Sequence, residues 1–419
     1  MSPIRALTML LLPFALVGSQ SPHHWPPTSP KPSSAPSLCP NDFPTIGSPL
    51  TAVHESAHPP TGLALDTNLN YYIAYPRNTG PIAHTLVQAT SFTDEVPWPS
   101  AEIQCCAAGQ DAATCFVNVQ NAVLDSRGRM WVVDSGIPAG QERAVPGGAK
   151  IMVFDTATRE RVRTYTLPEE VLHDGLNVND VRVNTSLGTA GWAFLTDESV
   201  AGSVVAVDLD TGGVLRRLFN TSVVRADEGF VGSYDGRPIY EWDGTRKMYA
   251  RTGADGIALA SGSVYWGVLA SRRFYYVPQT VLIDASLSDA EVLDQVVYPG
   301  NVGSEQAGFT ADDRGRVYVA ASEQNAVYYV DTLQSEVTET VNGVPPGGSG
   351  LVGKDEYVVK TLVRNALIQH ADSMAIMCGW LYFCTNQLEL SPVFQYNNTD
   401  NRKGPFRTYR YWIGRGPAV

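Results

Sequence analysis

Six short polar segments of the 419-residue sequence come at the start of apolar, strand-like runs, and they carry amide, hydroxyl or carboxyl groups. Such groups exchange hydrogen bonds with a small molecule, and an amide or hydroxyl aimed at a carbonyl oxygen polarises it. None of them is a strong nucleophile without an activating base beside it. These six polar tips are Thr61, Gln120 with Asn121, Asn179 with Asp180, Asp255, Gln306, and Asp372 with Ser373.

Motifs for hydrolysis or cofactor chemistry are missing from the sequence. It contains neither a G-x-S-x-G nucleophile elbow nor an H-E-x-x-H zinc motif. It also lacks a nucleotide-binding fingerprint and a glycine-rich phosphate loop between a strand and a helix. We therefore predict no cofactor and no metal ion. Two modes of action remain: binding alone, or catalysis that needs only confinement and polarisation of the reactants.

The polar tips recur because a longer pattern recurs: a tip, an alternating apolar strand, a turn with Gly, Ser or Asn, and a second strand. Period-two alternation and runs of Val, Tyr, Trp, Phe and Ile are typical of β-strands. Six copies at irregular intervals predict an all-β, six-bladed β-propeller that forms one domain over residues 46–419. A β-sandwich array or two smaller β domains are the alternatives. The copies begin at Thr61, Val119, Val178, Gly253, Glu305 and Ala371.

A propeller would gather the tips at one mouth of its central channel, where a concave pocket is the expected ligand site. The tips and the ends of the second strands then supply candidate substrate-binding residues. Asn and Asp before a strand also cap turns through their own backbone, which is the structural alternative for each tip. Residues 227–247 are predicted to form a long loop that covers the site. The substrate-binding candidates are Asn121, Asp255, Tyr75, Thr196 and Asn386.

Two further side chains are considered for the site. Trp266 follows the strand Val264–Tyr265 toward the predicted mouth, with a core aromatic as the alternative. His370 precedes a tip and is a candidate acid or base, with a hydrogen-bonded loop histidine as the alternative.

The N-terminal residues indicate an exported protein. Residues 1–19 have a lone Arg5, an apolar run and small residues, which is typical of a secretory signal peptide. Residues 20–45 are rich in Pro and Ser and are expected to be a flexible lead-in. Six cysteines allow 15 pairings, among which Cys115 with Cys105 or Cys106 would close a small loop. Sequons for N-glycosylation begin at Asn184, Asn220 and Asn397.

The charge of the chain restricts its partners. A formal net charge of −12 argues against nucleic acid and against an anionic membrane, because both select basic patches. The expected partner is a small apolar or aromatic molecule.

Several segments, taken in order, resemble the royal jelly protein/yellow family. They include “WVVDSG”, “NVNDVRVN”, “FLTDESVAGSVVAVDLDTGGVLRRL” and “DGIALASGSVYWGVLASRRFYYVPQTVL”, and the resemblance runs from about Val119 to Glu389. It implies a six-bladed propeller. It also implies one of three functions. The first is that of a hetero-Diels–Alderase, which joins a tropolone quinone methide to a terpene such as humulene, as in some fungal relatives. The alternatives are a binder of small aromatic amines or phenols and an isomerase of quinone pigment precursors.

The first of these activities is our expectation from the resemblance. On that reading Asn179, Gln306, Trp266 and Ser373 are the candidate catalytic residues, which confine the two reactants and polarise the quinone-methide carbonyl. The separate sugar-lactonase propellers hold a divalent metal with a Glu, an Asn and an Asp. Asn179 and Asp255 resemble two of those ligands, but the tip at Thr61 has no Glu, so metal chemistry of that type is not expected.

Overall fold

The structure is a computed structural model that describes residues 45–77, 80–340, 345–354 and 356–418. The predicted signal peptide, nearly all of the predicted lead-in, and Cys39 lie outside the described residues. The described chain from Pro44 onward forms one compact unit.

Six four-stranded antiparallel sheets make up this unit, which confirms the prediction of an all-β, six-bladed propeller. Strand β1 (Thr51–Ser56) comes first in the chain and belongs to the last blade. Blade one contains β2 (Gly62–Leu65), β3 (Tyr71–Ala74), β4 (Leu86–Ala89) and β5 (Glu95–Pro97). Blade two contains β6 (Val119–Leu124), β7 (Arg129–Asp134), β8 (Lys150–Asp155) and β9 (Arg161–Thr166). Blade three contains β10 (Val178–Asn184), β11 (Trp192–Asp197), β12 (Ser203–Asp208) and β13 (Val214–Arg217).

Two small hairpins follow blade three and precede the remaining blades. They are β14 (Gly232–Tyr234) with β15 (Arg237–Ile239), and β16 (Glu241–Trp242) with β17 (Lys247–Met248). Blade four contains β18 (Ala254–Ala260), β19 (Ser263–Val268), β20 (Arg273–Pro278) and β21 (Val297–Asn301); blade five contains β22 (Gln306–Ala311), β23 (Arg316–Ala321), β24 (Ala326–Asp331) and β25 (Lys360–Arg364); blade six contains β26 (Ala371–Met377), β27 (Trp380–Thr385) and β28 (Phe406–Trp412) together with β1.

The first and last strands of the propeller pair with each other and close the ring. β1 is the outermost strand of blade six and runs antiparallel to β28. His54 of β1 also reaches blade one, where Nε2 lies 2.8 Å from Glu95 Oε1 and Nδ1 lies 3.1 Å from the carbonyl oxygen of Ser91. The N-terminal strand therefore joins two neighbouring blades, and blade six is incomplete without it.

Tight turns between the first and second strands of the blades follow from short sequence signals. Asp125 Oδ1 accepts the backbone N–H groups of Arg127 and Arg129, and Gly128 adopts φ +74°. Asp312 does the same for the β22–β23 turn, where Gly315 has φ +75°. An Asp that accepts backbone bonds and a glycine with positive φ together reverse the chain within four residues.

The hydrophobic core lies between adjacent blades, because the alternating side chains of each sheet point toward its two neighbours. Trp266 belongs to this core: it is fully buried, stacks on Tyr275 with ring centroids 5.8 Å apart, and donates from Nε1 to the carbonyl of Val223 at 2.9 Å. Tyr75 is likewise buried in the core and donates to Glu95. Removing such a buried aromatic costs about 3–5 kcal/mol.

The helices are short and lie in the connections between strands. α1 (Gln279–Leu282) and α2 (Asp289–Leu293) connect β20 with β21, and Ser288 and Glu291 form a capping box on α2. Single 3₁₀ turns span Glu102–Gln104, Ala112–Thr114, Ser322–Gln324, Gln334–Glu336, Leu388–Leu390, Pro392–Phe394 and Tyr396–Asn398. Among the described residues no helix has the length and hydropathy needed to cross a membrane.

One disulfide joins Cys106 to Cys115, which confirms the small loop expected at this position and selects Cys106 over Cys105. Cys105 and Cys378 are exposed thiols and Cys384 is a buried one. Disulfides of this kind persist in oxidising environments, which is consistent with export of the protein.

Candidate functional site

The inner strands of all six blades begin at the same end of the channel, which we call the upper mouth; they end at the lower mouth. Inner strands β2, β6, β10, β18, β22 and β26 contact one another in order around the ring. The sequence tips therefore meet at the upper mouth, as the propeller geometry requires.

Three carboxylates at the upper mouth are each held by an asparagine. Asn179 Nδ2 donates to Asp255 Oδ1, and Asn177 Nδ2 donates to Glu198 Oε1. The third pair is Asn386 Nδ2 with Asp372 Oδ2, at 2.6 Å. We call this group of three asparagine–carboxylate pairs the acidic chamber.

One oxygen of each chamber carboxylate remains unengaged within the described part of the chain. Glu198 Oε2, Asp255 Oδ2 and Asp372 Oδ1 have no hydrogen-bond partner there, and none of the three carboxylates forms a salt bridge. Glu198 and Asp372 lie deep in the protein yet keep intermediate solvent accessibility, whereas Asp255 is buried. The oxygens without a partner could accept hydrogen bonds from a ligand.

Burial and mutual repulsion weaken the acidity of the chamber. Loss of water and the neighbouring Asp372 raise the pKa of Glu198 to about 8. Burial raises the pKa of Asp372 to about 7, and it raises that of Asp255 well above its usual range with help from Glu198 and Asp372. Negative charge is costly here because the asparagine partners donate hydrogen bonds without neutralising it.

A second polar group adjoins the chamber in blades five and six. His370 is buried, and its Nδ1 lies 2.9 Å from Glu389 Oε1. Burial opposes a charge on His370, but Glu389 outweighs that effect and raises the histidine pKa to about 9. Burial and Glu389 also raise the pKa of Glu305 to about 8. The histidine is therefore a buried cation paired with Glu389, and not the free acid or base considered from the sequence.

A layer of hydrogen-bonded side chains crosses the middle of the channel. Asn121 Nδ2 donates to Asp180 Oδ1 at 2.7 Å and to Ser373 Oγ at 2.9 Å. Arg182 pairs with Asp180 at 2.7 Å and donates from its other amino group to the carbonyl of Phe309. This partition links blades two, three, five and six, and it separates the acidic chamber from the lower mouth.

A pocket of about 570 Å³ opens on the lower side of the partition. Its walls are mostly apolar and come from the second halves of the inner strands, with Leu63, Leu65, Leu259 and Ile376 among them. The C-terminal residues Pro417 and Ala418 also line it. We call it the lower pocket.

Residues 227–250, between β13 and β18, pack over the upper loops of blades four to six. Phe230 and Ala250 cluster with Ala270 of blade four and Phe394 of blade six. Gly232 lies directly against Glu305, since an added Cβ would come 2.6 Å from Glu305 Oε2. We call this segment the lid; it contains residues 227–247, predicted from the sequence as a covering loop, and in the structure they form the two small hairpins.

The upper side stays accessible on the opposite side of the ring. A cleft of about 660 Å³ is lined by loops of blades two to four, including Asn118, Asn177 and Arg251. Because Asn177 also donates to Glu198, the cleft borders the acidic chamber.

The described residues contain no set of three or more His, Cys, Asp or Glu side chains arranged to hold one metal ion. The chamber carboxylates are therefore not arranged as a compact metal cage among these residues.

Comparison with known proteins settles the family. The sequence profile described as “Major royal jelly protein” matches residues 117–379, which is more than half of the chain. The chain belongs to the major royal jelly protein family. No curated protein matches it at a significant level.

Similar solved structures include other propellers. A luciferin-regenerating enzyme has 12% identity and a TM-score of 0.47, covering 88% of this chain and 95% of its own. Regucalcin from Agrobacterium tumefaciens str. C58 has 12% identity and a TM-score of 0.46, covering 90% and 96%. A gluconolactonase from Xanthomonas campestris has 11% identity and a TM-score of 0.46, covering 87% and 89%. No functional argument rests on likenesses this distant.

The structure distributes the predicted site residues of this royal jelly family member among four environments. Asn179, Asp255 and Asn386 belong to the acidic chamber, whereas Asn121 and Ser373 form part of the partition. Thr196 donates to the backbone carbonyl of Asp255, and Gln306 donates to that of Arg273 at 2.5 Å, so both hold the backbone near the site. Trp266 and Tyr75 lie in the core between blades, away from the channel, because their strand positions point toward a neighbouring sheet.

The sequence predicts Asp372 at a polar tip and Glu198 among the second-strand ends near the mouth, but it does not predict Asn177 or Glu389 as site residues. Asp372 stands at a polar tip and Glu198 directly follows β11, so both carried the positional signal. What the sequence did not show is that each meets an asparagine from elsewhere in the fold.

Proposed function

We propose that the protein binds small organic cations, of the aromatic amine class, in its acidic chamber. The observation that carries the proposal is the set of three carboxylates, each with one oxygen that has no hydrogen-bond partner and none in a salt bridge within the described chain. The charge of His370 acts on Asp255 and Asp372, but this histidine is already paired with Glu389. A bound ammonium group would donate hydrogen bonds to these oxygens and offset their repulsion.

The electrostatics favour a cation over a neutral or anionic ligand. Buried carboxylates with raised pKa values are costly to ionise, so a ligand that brings its own positive charge recovers that cost on binding. A neutral phenol recovers none of it, and an anion adds to the repulsion. Asparagine partners orient the carboxylates while leaving their charge for the ligand.

We also propose that the protein acts outside the cell. The Cys106–Cys115 disulfide supports this, together with the sequons and the signal-peptide pattern of residues 1–19.

Titration calorimetry at pH 7.5 tests the amine proposal with three ligands that share one aromatic ring. Tyramine carries the cation, phenol lacks it, and 4-hydroxyphenylacetate replaces it with a carboxylate. We expect binding of tyramine, and at least tenfold weaker binding of the other two. Equal affinity for tyramine and 4-hydroxyphenylacetate would disprove the proposal.

Two matched variants locate the binding. Asp255→Asn removes one chamber charge, whereas Asp210→Asn makes the same change in an exposed turn. We expect the first to weaken tyramine binding about tenfold or more and the second to leave it unchanged, since hydrogen bonds to charged groups contribute about 1.5–3 kcal/mol. Unaltered tyramine affinity in Asp255→Asn would place the amine site elsewhere.

The second candidate function is the hetero-Diels–Alder cycloaddition implied by the family resemblance. The observation that favours it is the lower pocket, because a terpene needs hydrocarbon walls and the acidic chamber does not supply them. Incubation of the purified protein with a tropolone quinone-methide precursor and humulene tests it. A product whose yield and stereochemistry match the protein-free control would rule it out.

A further inference from the structure

The lower pocket lies at the opposite end of the channel from the acidic chamber. The partition of Asn121, Asp180, Arg182 and Ser373 stands between them. A ligand in one space therefore has no direct path to the other through these side chains. The two spaces also differ in chemistry, which suggests different occupants.

The lower pocket offers mainly hydrocarbon surface. Its volume of about 570 Å³ falls within the range of about 300–1,000 Å³ that is usual for small-molecule sites. Met374 and Met377 add flexible side chains to its walls, and such side chains adapt to the shape of an apolar ligand.

The floor of the pocket carries almost no net charge. The partition forms this floor, and its cationic side chain is Arg182. The guanidinium of Arg182 is paired with Asp180 and hydrogen-bonded to backbone carbonyls. A neutral ligand is therefore favoured over an ion at this depth. Charged groups such as Asp66 and Arg127 also line the pocket, but they belong to the turns at its rim.

One hydroxyl group is free to orient a ligand. Thr310 lines the pocket and is largely buried, and its Oγ1 makes no side-chain hydrogen bond among the described residues. A free hydroxyl within apolar walls would bond one oxygen function of a bound molecule.

The C-terminal segment forms part of the rim of the lower pocket. Ala418 N–H donates to the carbonyl of Ala311 at 2.9 Å, and Asp313 N–H donates to that of Gly416 at 3.0 Å. Arg415 pairs with Asp312 at 3.2 Å and holds the segment against blade five. The rim is thus built by ordered backbone bonds.

We infer that the lower pocket is a second binding site, which takes a neutral, mostly hydrocarbon molecule with one alcohol or ketone oxygen bonded to Thr310. The inference goes beyond the proposed function, because it requires neither amine binding in the acidic chamber nor a cycloaddition.

The test uses the uncharged fluorescent probe N-phenyl-1-naphthylamine with the folded, full-length protein. Ala375→Trp fills the pocket from β26, and Ala157→Trp makes the same change in an exposed turn of blade two. We expect Ala375→Trp to lower probe affinity at least tenfold, with Ala157→Trp matching the unmodified protein. Absence of probe binding, or unchanged affinity in a folded Ala375→Trp protein, would overturn the inference.

A second variant tests ligand binding in the lower pocket if Ala375→Trp does not fold. Thr310→Val keeps the shape of the side chain and removes its hydroxyl. In displacement of the probe, we expect about 3- to 10-fold weaker binding of farnesol and unchanged binding of its hydrocarbon counterpart farnesene, as the loss of one hydrogen bond implies. Equal effects on both, or none on either, would contradict the assigned role of Thr310.

Discussion

Asparagine is the residue that gives the acidic chamber its character. Asn177, Asn179 and Asn386 fix the positions of three carboxylates without cancelling their charge. An arginine or lysine in any of these places would form a salt bridge and leave less negative charge for a ligand. The chamber thus holds carboxyl groups that no arginine or lysine neutralises and that a cationic ligand would help to ionise.

His370 shows the opposite arrangement, in which a buried cation is matched by its own carboxylate. Its backbone has φ +54°, a conformation that asparagine tolerates better than most residues. His370→Asn should therefore keep the backbone but leave Glu389 buried without a cation, at a cost of about 3–5 kcal/mol in the free energy of unfolding. Urea denaturation at pH 7 measures this cost.

The double variant His370→Asn/Glu389→Gln is the control for that prediction. It removes both charges and should recover part of the lost stability. A single variant that loses less than about 1 kcal/mol would show that the ion pair does not form.

The three sequons differ in the exposure of their asparagines. Asn220 and Asn397 are exposed, whereas Asn184 is half-buried at the lower pocket and donates to Gln279 Oε1 at 2.8 Å. We expect glycans at Asn220 and Asn397 and little or none at Asn184 when the protein is secreted from a eukaryotic host. Glycopeptide mass spectrometry checks this, and full occupancy of Asn184 would contradict the packing described for it.

At the scale of elements, the lid packs over one side of the upper mouth. Trp242 packs edge-to-face on Tyr396 with ring centroids 4.9 Å apart, and Asn398 Nδ2 donates to the carbonyl of Trp242 at 3.2 Å. These contacts tie the second lid hairpin to the loop that follows β27. Tyr396 and Asn398 are exposed, so this hairpin should separate from the loop more readily than the blades separate from one another.

Trp242→Ala should speed both association and dissociation of tyramine by about 2- to 12-fold. An aromatic pair contributes about 0.5–1.5 kcal/mol, and its loss raises the open population of the lid by that factor. Stopped-flow fluorescence measures both rates, with Phe92→Ala, an exposed aromatic of blade one, as the control. Unchanged rates would mean that tyramine enters only through the cleft beside Asn177.

Much of the element order could be predicted from the sequence, because strands and turns are encoded locally. Period-two alternation and the Asp–Gly turns at Asp125 and Asp312 place the inner strands and hence the polar tips. The pairing of β1 with β28 depends on residues at opposite ends of the chain, and no local pattern reveals it. The same applies to Glu198, whose partner Asn177 comes from the preceding connection between blades.

It was harder to predict whether a side chain faces the channel than to predict which strand the residue belongs to. Trp266 was expected near the mouth because its strand ends there, but in a propeller most strand positions face a neighbouring blade. At the upper mouth, only the first residues of the inner strands and the loops after the second strands reach the channel. Asn179, Asp255 and Asn386 occupy such positions, whereas Trp266 and Tyr75 do not.

At the scale of the whole molecule, the raised pKa values make stability depend on pH. Glu198, Glu305 and Asp372 have pKa values of about 7–8 when folded, so the folded protein holds protons that the unfolded chain has released. His370, with a pKa of about 9, acts in the same direction. Stability therefore falls as pH rises through this range.

We expect the melting temperature to fall by several degrees between pH 5.5 and pH 9, and saturating tyramine to reduce that fall. The amine favours the ionised carboxylates in the folded state. It therefore reduces the difference in the number of bound protons between the folded and unfolded states. Scanning fluorimetry across this range measures both effects. A melting temperature that rises steadily from pH 5.5 to pH 9 would contradict the sign of the shifts.

The most direct test of a cation-binding chamber is the number of protons exchanged when tyramine binds. Calorimetry at pH 7.5 in phosphate and in Tris, whose ionisation enthalpies differ, reports that number. We predict net release of protons, because an ammonium group lowers the pKa of the carboxylates that surround it, and loss of most of this release in Asp255→Asn. Binding of tyramine with no proton exchange, or with proton uptake, would contradict the placement of the cation among Glu198, Asp255 and Asp372.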